Sequence, residues 1–201
     1  MFQLACKRAI DVAVSSLALL VLSPLFLVLA LLVMSDTPGP AFFVQERWGR
    51  RGRKIRVLKF RTMHAERSDA AGIIQAAPND PRVTRLGRLL RRTNLDELPQ
   101  LWNVLRGDMS LIGPRCHAIG MLGGGVPYEE LVPEYHQRHD MRPGITGLAQ
   151  ASGYRGPTVD AEKARGRIEL DLIYVRRFSL WLDLKIAIRT IASEWRGGTG
   201  L

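Results

Sequence analysis

Acidic residues are in short supply. Against 19 Asp and Glu the 201-residue chain carries 29 Lys and Arg, a formal charge of +10. Its favoured partners are therefore anions: nucleic acid, anionic lipid or phosphorylated small molecules. Cysteine is scarcer still. Cys6 and Cys116 stand alone, too few for a disulfide framework, and reduced thiols facing the cytoplasm are the simpler assumption. No internal repeat divides the chain, and its length suits one domain with a core of its own.

Charge is missing altogether from positions 12–34. This argues against a soluble nucleic-acid binder. As one helix these 23 residues would run roughly 35 Å, enough for a hydrocarbon core of about 30 Å. A single crossing is one reading. A re-entrant hairpin is the other. Ser23-Pro24 stands mid-run, where proline removes a helical hydrogen bond and clashes with the preceding turn. Each half, about 11 residues, reaches only mid-bilayer. Both flanks are basic: Lys7 and Arg8 before, Arg47, Arg50, Arg51, Arg53, Lys54, Arg56, Lys59 and Arg61 after. Basic flanks tend to the cytoplasmic side, and a single crossing would separate them. A cleaved signal peptide fits worse. The run is longer than an apolar signal core of about 7–15 residues, and Ser35-Asp36-Thr37-Pro38 is a poor cleavage site.

Asp36-Thr37-Pro38-Gly39-Pro40 makes a stiff exit. Residues 41–45 and 55–60 read as strands around a Gly49-Arg50-Arg51-Gly52 turn, a basic β-hairpin. Its charges, beside a membrane exit, suit lipid head groups or substrate phosphates. Residues 66–81 show little periodicity and read as a mobile loop. Over 82–92, Val83, Leu86, Leu89 and Leu90 share one helical face, with Arg82, Arg85, Arg88, Arg91 and Arg92 around the rest. That is a basic amphipathic helix suited to an interface. A second helix turns Leu98, Leu101, Trp102 and Leu105 toward a core. The glycine-rich segment 120–127 has no phosphate-loop pattern and reads as a plain loop. Trp181, Leu184, Ile188, Ile191 and Trp195 form a helical stripe, with Lys185, Arg189 and Arg196 off it. Core packing and a position in the membrane interface both fit that stripe. His136 and His139 have helical spacing but no third ligand, and read as surface residues rather than a zinc site.

The densest polar cluster runs Arg91-Arg92-Thr93-Asn94-Leu95-Asp96-Glu97-Leu98-Pro99-Gln100. Proline is tolerated in a first helical turn, which puts Asp96 at or just before a helix N-terminus. One reading makes Asp96 a cap and Glu97 a first-turn acid. The other is chemical. A helix N-terminus among arginines binds phosphate. Adjacent carboxylates there divide labour: one attacks phosphorus, the other holds Mg²⁺ against a diphosphate. Metal and arginines then stabilise the charge shared by attacking and leaving oxygens. Dipole and arginines would also keep Asp96 ionised, as a nucleophile requires.

At this point the chain resembles a known family. Leu95-Asp96-Glu97-Leu98-Pro99-Gln100 through Gly113-Pro114-Arg115 is similar to the signature of the bacterial sugar transferases, the monotopic phosphoglycosyl transferases. Lys59-Phe60-Arg61-Thr62-Met63 is similar to their upstream motif. Arg142-Pro143-Gly144-Ile145-Thr146-Gly147-Leu148-Ala149-Gln150 is similar to their downstream one, and Ser23-Pro24 to the break of their re-entrant helix. The resemblance covers nearly the whole chain, in order. It implies an α+β, mostly helical fold: a re-entrant membrane hairpin over 1–40, and a cytoplasmic catalytic domain over 41–201 with a short β-hairpin and interfacial amphipathic helices. It implies Asp96 as the nucleophile of a covalent sugar-phosphate intermediate with release of UMP. It implies Glu97 as the Mg²⁺ ligand, and polyprenyl phosphate as second substrate in a ping-pong reaction. Arg115 would hold phosphate. Lys59, Arg61, Arg91 and Arg142 are candidates for diphosphate or uridine contacts, or else surface arginines and lysine, and Gln150 joins the substrate-binding set.

Residues 117–137 and the ending Ser179-Leu180-Trp181-Leu182-Asp183-Leu184-Lys185 look most like members that move hexose 1-phosphate, glucose or galactose, onto undecaprenyl phosphate. The implied partners are a UDP-sugar, polyprenyl phosphate and membrane lipid, not nucleic acid, with a homodimer left open. The implied place is the cytoplasmic face of a bacterial inner membrane, at the start of polysaccharide or glycoconjugate assembly. Cys116 departs from the family, which usually has proline there; this bears on the rigidity of the turn more than on the chemistry. The rival reading is a non-catalytic basic protein that recruits anionic lipid or a partner at a membrane surface. It accounts for anchor and charge but not for the acidic pair. A glycosyl transferase leaving UDP would differ in its nucleotide product alone.

Overall fold

The computed structural model describes residues 2–67, 75–77, 79–158 and 160–195. Of the expected loop at 66–81, positions 68–74 and 78 lie outside the described residues, as do Arg196 and the side chain of Trp195. The fold is α+β and mostly helical.

Helices α1 (Phe2–Val21) and α2 (Ser23–Asp36) meet at Leu22 with a bend of 63°. Pro24 opens α2, where its missing N–H is no loss. Ser23 Oγ donates to the Leu20 carbonyl at 2.8 Å. Among the described residues no single helix is long and apolar enough to cross a membrane, whereas the bent pair is, by length and composition. The break falls where the sequence placed it. The halves do not: α1 has 20 residues rather than about 11, because Lys7, Arg8 and Asp11 lie inside it. These groups have partners on the rest of the molecule. Lys7 Nζ meets Asp183 Oδ2 at 2.6 Å, and Asp11 Oδ1 accepts the Leu111 N–H at 3.0 Å. The Arg8 guanidinium donates to the carbonyls of Val104 and Leu105. The other end is held too. The last carbonyls of a helix lack internal partners; Arg61 donates to that of Val33 in the last turn of α2 and to those of Thr37, Pro38 and Pro40 just beyond it, at 2.7–3.1 Å. Both ends of the bent pair are thus fixed to one body.

Strands β1 (Phe42–Trp48) and β2 (Lys54–Phe60) form the expected hairpin, in antiparallel register from Phe42↔Phe60 to Trp48↔Lys54. Phe60 packs with Leu29 and Val33 of α2 and Leu90 of α3 (Arg85–Arg92). Helix α3 is capped by Thr84, whose Oγ1 accepts the Gly87 N–H at 2.9 Å. Helix α4 (Gln100–Arg106) buries Leu101, Asn103 and Val104, and leaves Trp102 half-exposed, against the expected face. Asn103 sets that rotation. Its Oδ1 accepts the Leu58 N–H and its Nδ2 donates to the Arg56 carbonyl, so backbone polar groups of β2 are satisfied by α4.

Strand β3 (Ser110–Ile112) pairs in parallel with β6 (Gly144–Thr146). Between them lies a small hairpin of β4 (Leu122–Gly123) and β5 (Val126–Pro127), where a plain loop was expected. Gly124 and Gly125 both take positive φ (60° and 82°), which suits a two-residue hairpin turn. Helix α5 (Tyr128–Leu131), the 3₁₀ segment Tyr135–Asp140 and α6 (Leu148–Ala151) lead to two long helices, α7 (Ala161–Arg176) and α8 (Leu180–Trp195). Helix α7 has no counterpart among the elements expected from the sequence. It buries two neighbouring stripes: Ala164, Ile168 and Leu172 against Tyr128, Leu131 and Tyr135, and the polar set Arg167, Asp171 and Tyr174. His139, expected at the surface, is buried, its ring edge-on to Tyr135 and tilted against Trp48. On α8 the core side is Ile186, while Trp181, Ile188 and Ile191 are 57–64 % exposed. Core packing is therefore the wrong reading of that stripe.

Candidate active site

Asp96 and Glu97 share a single 3₁₀ turn, Leu95–Glu97, between α3 and α4. The chain enters it through Asn94 in the left-handed region (φ 54°), a conformation asparagine adopts more readily than most residues. Asp96 caps nothing: neither the turn nor α4 has a side-chain cap bond. The two carboxylates have opposite surroundings. Glu97 Oε1 accepts from Lys59 Nζ and Arg115 Nη2, both at 2.6 Å, and its Oε2 from Arg115 Nη1 at 3.3 Å. Burial alone would raise its pKa, but the charges of Arg115 and Lys59 hold it well below the usual carboxylate range. Asp96 is 7 % exposed, and no hydrogen bond or ion pair among the described residues reaches its carboxylate. Burial pushes its pKa up to about 6. Lys59, Arg91 and Arg115 pull against that, and the Glu97 charge adds to it. The arginines therefore do not keep Asp96 fully ionised, as the sequence suggested. It remains a carboxylate above neutral pH.

Arg115 owes its place to backbone packing. Gly113-Pro114-Arg115 lies against Arg142-Pro143-Gly144, with the Gly113 N–H on the Thr146 carbonyl and the Gly144 N–H on that of Pro114, both at 2.9 Å. A Cβ on Gly113 would stand 2.4 Å from the Arg142 oxygen, and one on Gly144 would stand 2.1 Å from the Gly113 nitrogen. The turn is thus gripped from outside, and Cys116 need not stiffen it. The thiol is buried with Val57, Val104 and Met109.

These groups open on one cavity of about 790 Å³. Asp96, Glu97, Lys59 and Arg115 line it, together with Ile10 and Val14 of α1 and Leu184 and Ile191 of α8.

The chain matches the family model described as bacterial sugar transferase over residues 2–197. It belongs to that family. It is 57 % identical over 197 residues to the exopolysaccharide production protein PSS of Rhizobium leguminosarum bv. phaseoli, covering 98 % of each chain. It is 49 % identical over 187 residues to a UDP-glucose:undecaprenyl-phosphate glucose-1-phosphate transferase of Caulobacter vibrioides, covering 93 % of this chain and 68 % of that one. To the undecaprenyl-phosphate glucose phosphotransferase of Komagataeibacter xylinus it is 48 % identical over 188 residues, covering 94 % of this chain but 35 % of the relative. The chain thus spans nearly all of the first relative and about a third of the last.

In this bacterial sugar transferase the structure gathers Lys59, Arg91, Asp96, Glu97, Arg115 and Gln150 around one cavity. Arg91 Nε donates to Thr62 Oγ1 at 2.8 Å, and its charge acts on Asp96. Gln150 Nε2 donates to the Ile145 carbonyl, while its buried Oε1 has no partner. Arg61 borders the cavity with its donors on the carbonyls that follow α2. Arg142 does not line the cavity; its Nε donates to the Gly107 carbonyl at 2.8 Å. Four arginines that the motifs did not single out for the site also border the cavity, Arg47, Arg82, Arg155 and Arg167. Arg47 passed as one more charge of the basic hairpin. Arg167 lies on the unanticipated α7, and no spacing in the sequence marks it.

Proposed function

We propose that this transferase moves a hexose 1-phosphate from a UDP-sugar to polyprenyl phosphate, releasing UMP, through a covalent adduct on Asp96. The observation that carries this reading is the unpartnered Asp96 carboxylate facing the cavity beside a Glu97 already held by Lys59 and Arg115. An acid without partners is free to attack; one clamped by two cations is not. Asp96 bonds to the sugar-bearing phosphorus, the P–O bond to UMP breaks, and UMP takes the electron pair. A polyprenyl phosphate oxygen then displaces Asp96 from the same phosphorus, giving a polyprenyl diphosphate sugar and the free carboxylate. Lys59 and Arg115 stand where they balance charge on the transferred group. The donor set suits Mg²⁺, a hard cation that takes one or two carboxylates together with substrate phosphates. Glu97 Oε2, with only its 3.3 Å contact, is the oxygen that would hold it. The ion would neutralise diphosphate charge.

The apolar walls from α1 and α8 suit an acceptor with a hydrocarbon tail. The bent pair, held at both ends by one body, supports a re-entrant hairpin with the catalytic part on the cytoplasmic face. The names of two relatives favour glucose as the sugar. The test is nucleotide release: purified protein, Mg²⁺, polyprenyl phosphate and a panel of UDP-sugars should yield UMP. Without acceptor, mass spectrometry should find a sugar phosphate on Asp96. Release of UDP, or wild-type turnover by Asp96→Asn, would overturn the mechanism.

A further inference from the structure

Arg167 is 4 % exposed and sits on the cavity wall. A guanidinium offers five N–H donors. Arg167 makes one hydrogen bond, from Nη2 to the Gly156 carbonyl at 2.8 Å; its buried Nε has no partner, and it enters no ion pair among the described residues. Arg47, on the same cavity, donates only to neutral oxygens, those of the Gln45 side chain and the Cys116 carbonyl.

The buried charges here do not cancel. Glu97 answers Lys59 and Arg115. Asp171 answers Arg138, whose Nη2 also donates to the Arg115 carbonyl. Half-buried Arg47 and buried Arg167 form no ion pair among the described residues, and the charge acting on Arg167 from Asp171 is already shared with Arg138. His117 adds no positive charge: burial, then the charges of Arg138, Arg167, Arg47 and Arg115, hold its pKa well below the ordinary imidazole range. Uncompensated cations in a closed setting are costly unless an anion completes them.

Position says which anion. Asp171 lies one turn beyond Arg167 on α7, and Arg138 ties Asp171 to the backbone of Arg115. Arg115 acts on both Asp96 and Arg167, whereas Lys59, Glu97 and Arg91 are the other charges prominent around Asp96. Arg115 thus holds Glu97, the chain neighbour of the nucleophile, with its side chain, and is linked through its carbonyl and Arg138 to the turn of α7 that follows Arg167 on the same cavity. We infer that Arg167, assisted by Arg47, binds the phosphate of the nucleoside monophosphate that leaves, while Lys59 and Arg115 attend the phosphorus that Asp96 attacks. This rests on the transferase reading above. One observation favours a purely structural rival: Asp171 Oδ1 also lacks a partner, and the four-residue spacing on α7 would suit an Arg167–Asp171 pair.

Calorimetric binding of UMP and of uridine to the full-length protein separates the two. Wild type should prefer UMP. Arg167→Met should weaken UMP binding on the order of tenfold to a hundredfold, the range for a lost charged hydrogen bond. Uridine affinity should stay within error, the thermal midpoint of the ligand-free protein should hold or rise, and the UMP affinity of Arg167→Lys should fall between wild type and Met. An unchanged preference for UMP in Arg167→Met, or a variant that loses its fold, assigns Arg167 to Asp171 and overturns the inference. Equal affinity of wild type for UMP and uridine overturns it as well. Wild-type protein that binds neither UMP nor UDP-sugar overturns the transferase reading itself, a separate result.

Discussion

Asp96 and Glu97 are chain neighbours with the same functional group, and the fold sends them in opposite directions. Their substitutions should differ in sign. Folding favours protonated Asp96. That contribution is complete below about pH 4 and is lost as pH rises through about 6. At pH 8 Asp96→Asn should therefore stabilise the metal-free protein by about 1–3 kcal/mol, read as a raised thermal midpoint, while adduct formation falls by a factor on the order of 10³ or more. Glu97 is the reverse, since its depressed pKa lends stability that is present above about pH 4.5 and lost in strong acid. Glu97→Gln leaves Lys59 and Arg115 underpaired and should cost about 3 kcal/mol. Adduct formation by the wild type should be level above pH 7 and fall about tenfold per unit below pH 6; a rate that stays level to pH 4 would contradict the raised Asp96 pKa. The acidic pair was legible in the sequence. Which acid is restrained was not, because the restraint comes from Lys59 and Arg115, 38 and 18 residues away.

At the level of elements, legibility follows range. Pro24 acts within one turn, and the break between α1 and α2 lies beside it. Thr84 and the glycines of the β4–β5 turn act locally too. Facing is a different matter. Asn103 turns α4 by bonding to β2, so Trp102 is left outside while Leu101 is buried and Leu98 packs on the core as the apolar spacing predicts. Helix α7 was missed because half of its buried surface is Arg167, Asp171 and Tyr174, which breaks the apolar rhythm. Helix α1 was shortened in the reading because Lys7 and Asp11 looked like its boundary, whereas they are its attachment. The Lys7–Asp183 pair is nearly dry, with side chains 8 % and 11 % exposed. Removing one partner of such a pair is severe. Lys7→Ala should destabilise by about 3–5 kcal/mol and loosen α1 from α8, seen as faster amide exchange in α1.

Across the whole molecule, apolar side chains stand outward on three helices: Leu17 and Leu20 on α1, Leu27 and Leu31 on α2, Trp181 and Ile188 on α8. Exposed apolar surface of this extent marks a lipid or partner contact. In a lipid setting Trp181→Glu with Ile188→Glu should reduce partitioning to anionic vesicles roughly tenfold or more, with the isolated fold intact by circular dichroism. The hairpin reading makes a second demand. After replacement of Cys6 and Cys116, single cysteines at Phe2 and Glu162 should react with an impermeant maleimide from the same side of sealed vesicles. Labelling from opposite sides would mean a full crossing.

The paired glycines at 113 and 144 place a limit on heredity. Each occupies the space the other's side chain would need, so neither segment carries its shape alone. The arginine at 115 is inherited, in effect, together with a stretch of chain that never touches the reacting atoms. A recombination breakpoint between positions 115 and 142 would give a working descendant only when the parent that supplies position 113 and the parent that supplies position 144 each hold glycine there. Shuffled libraries made from relatives should lose activity at breakpoints in that interval whenever the residue inherited at 113 or at 144 is not glycine.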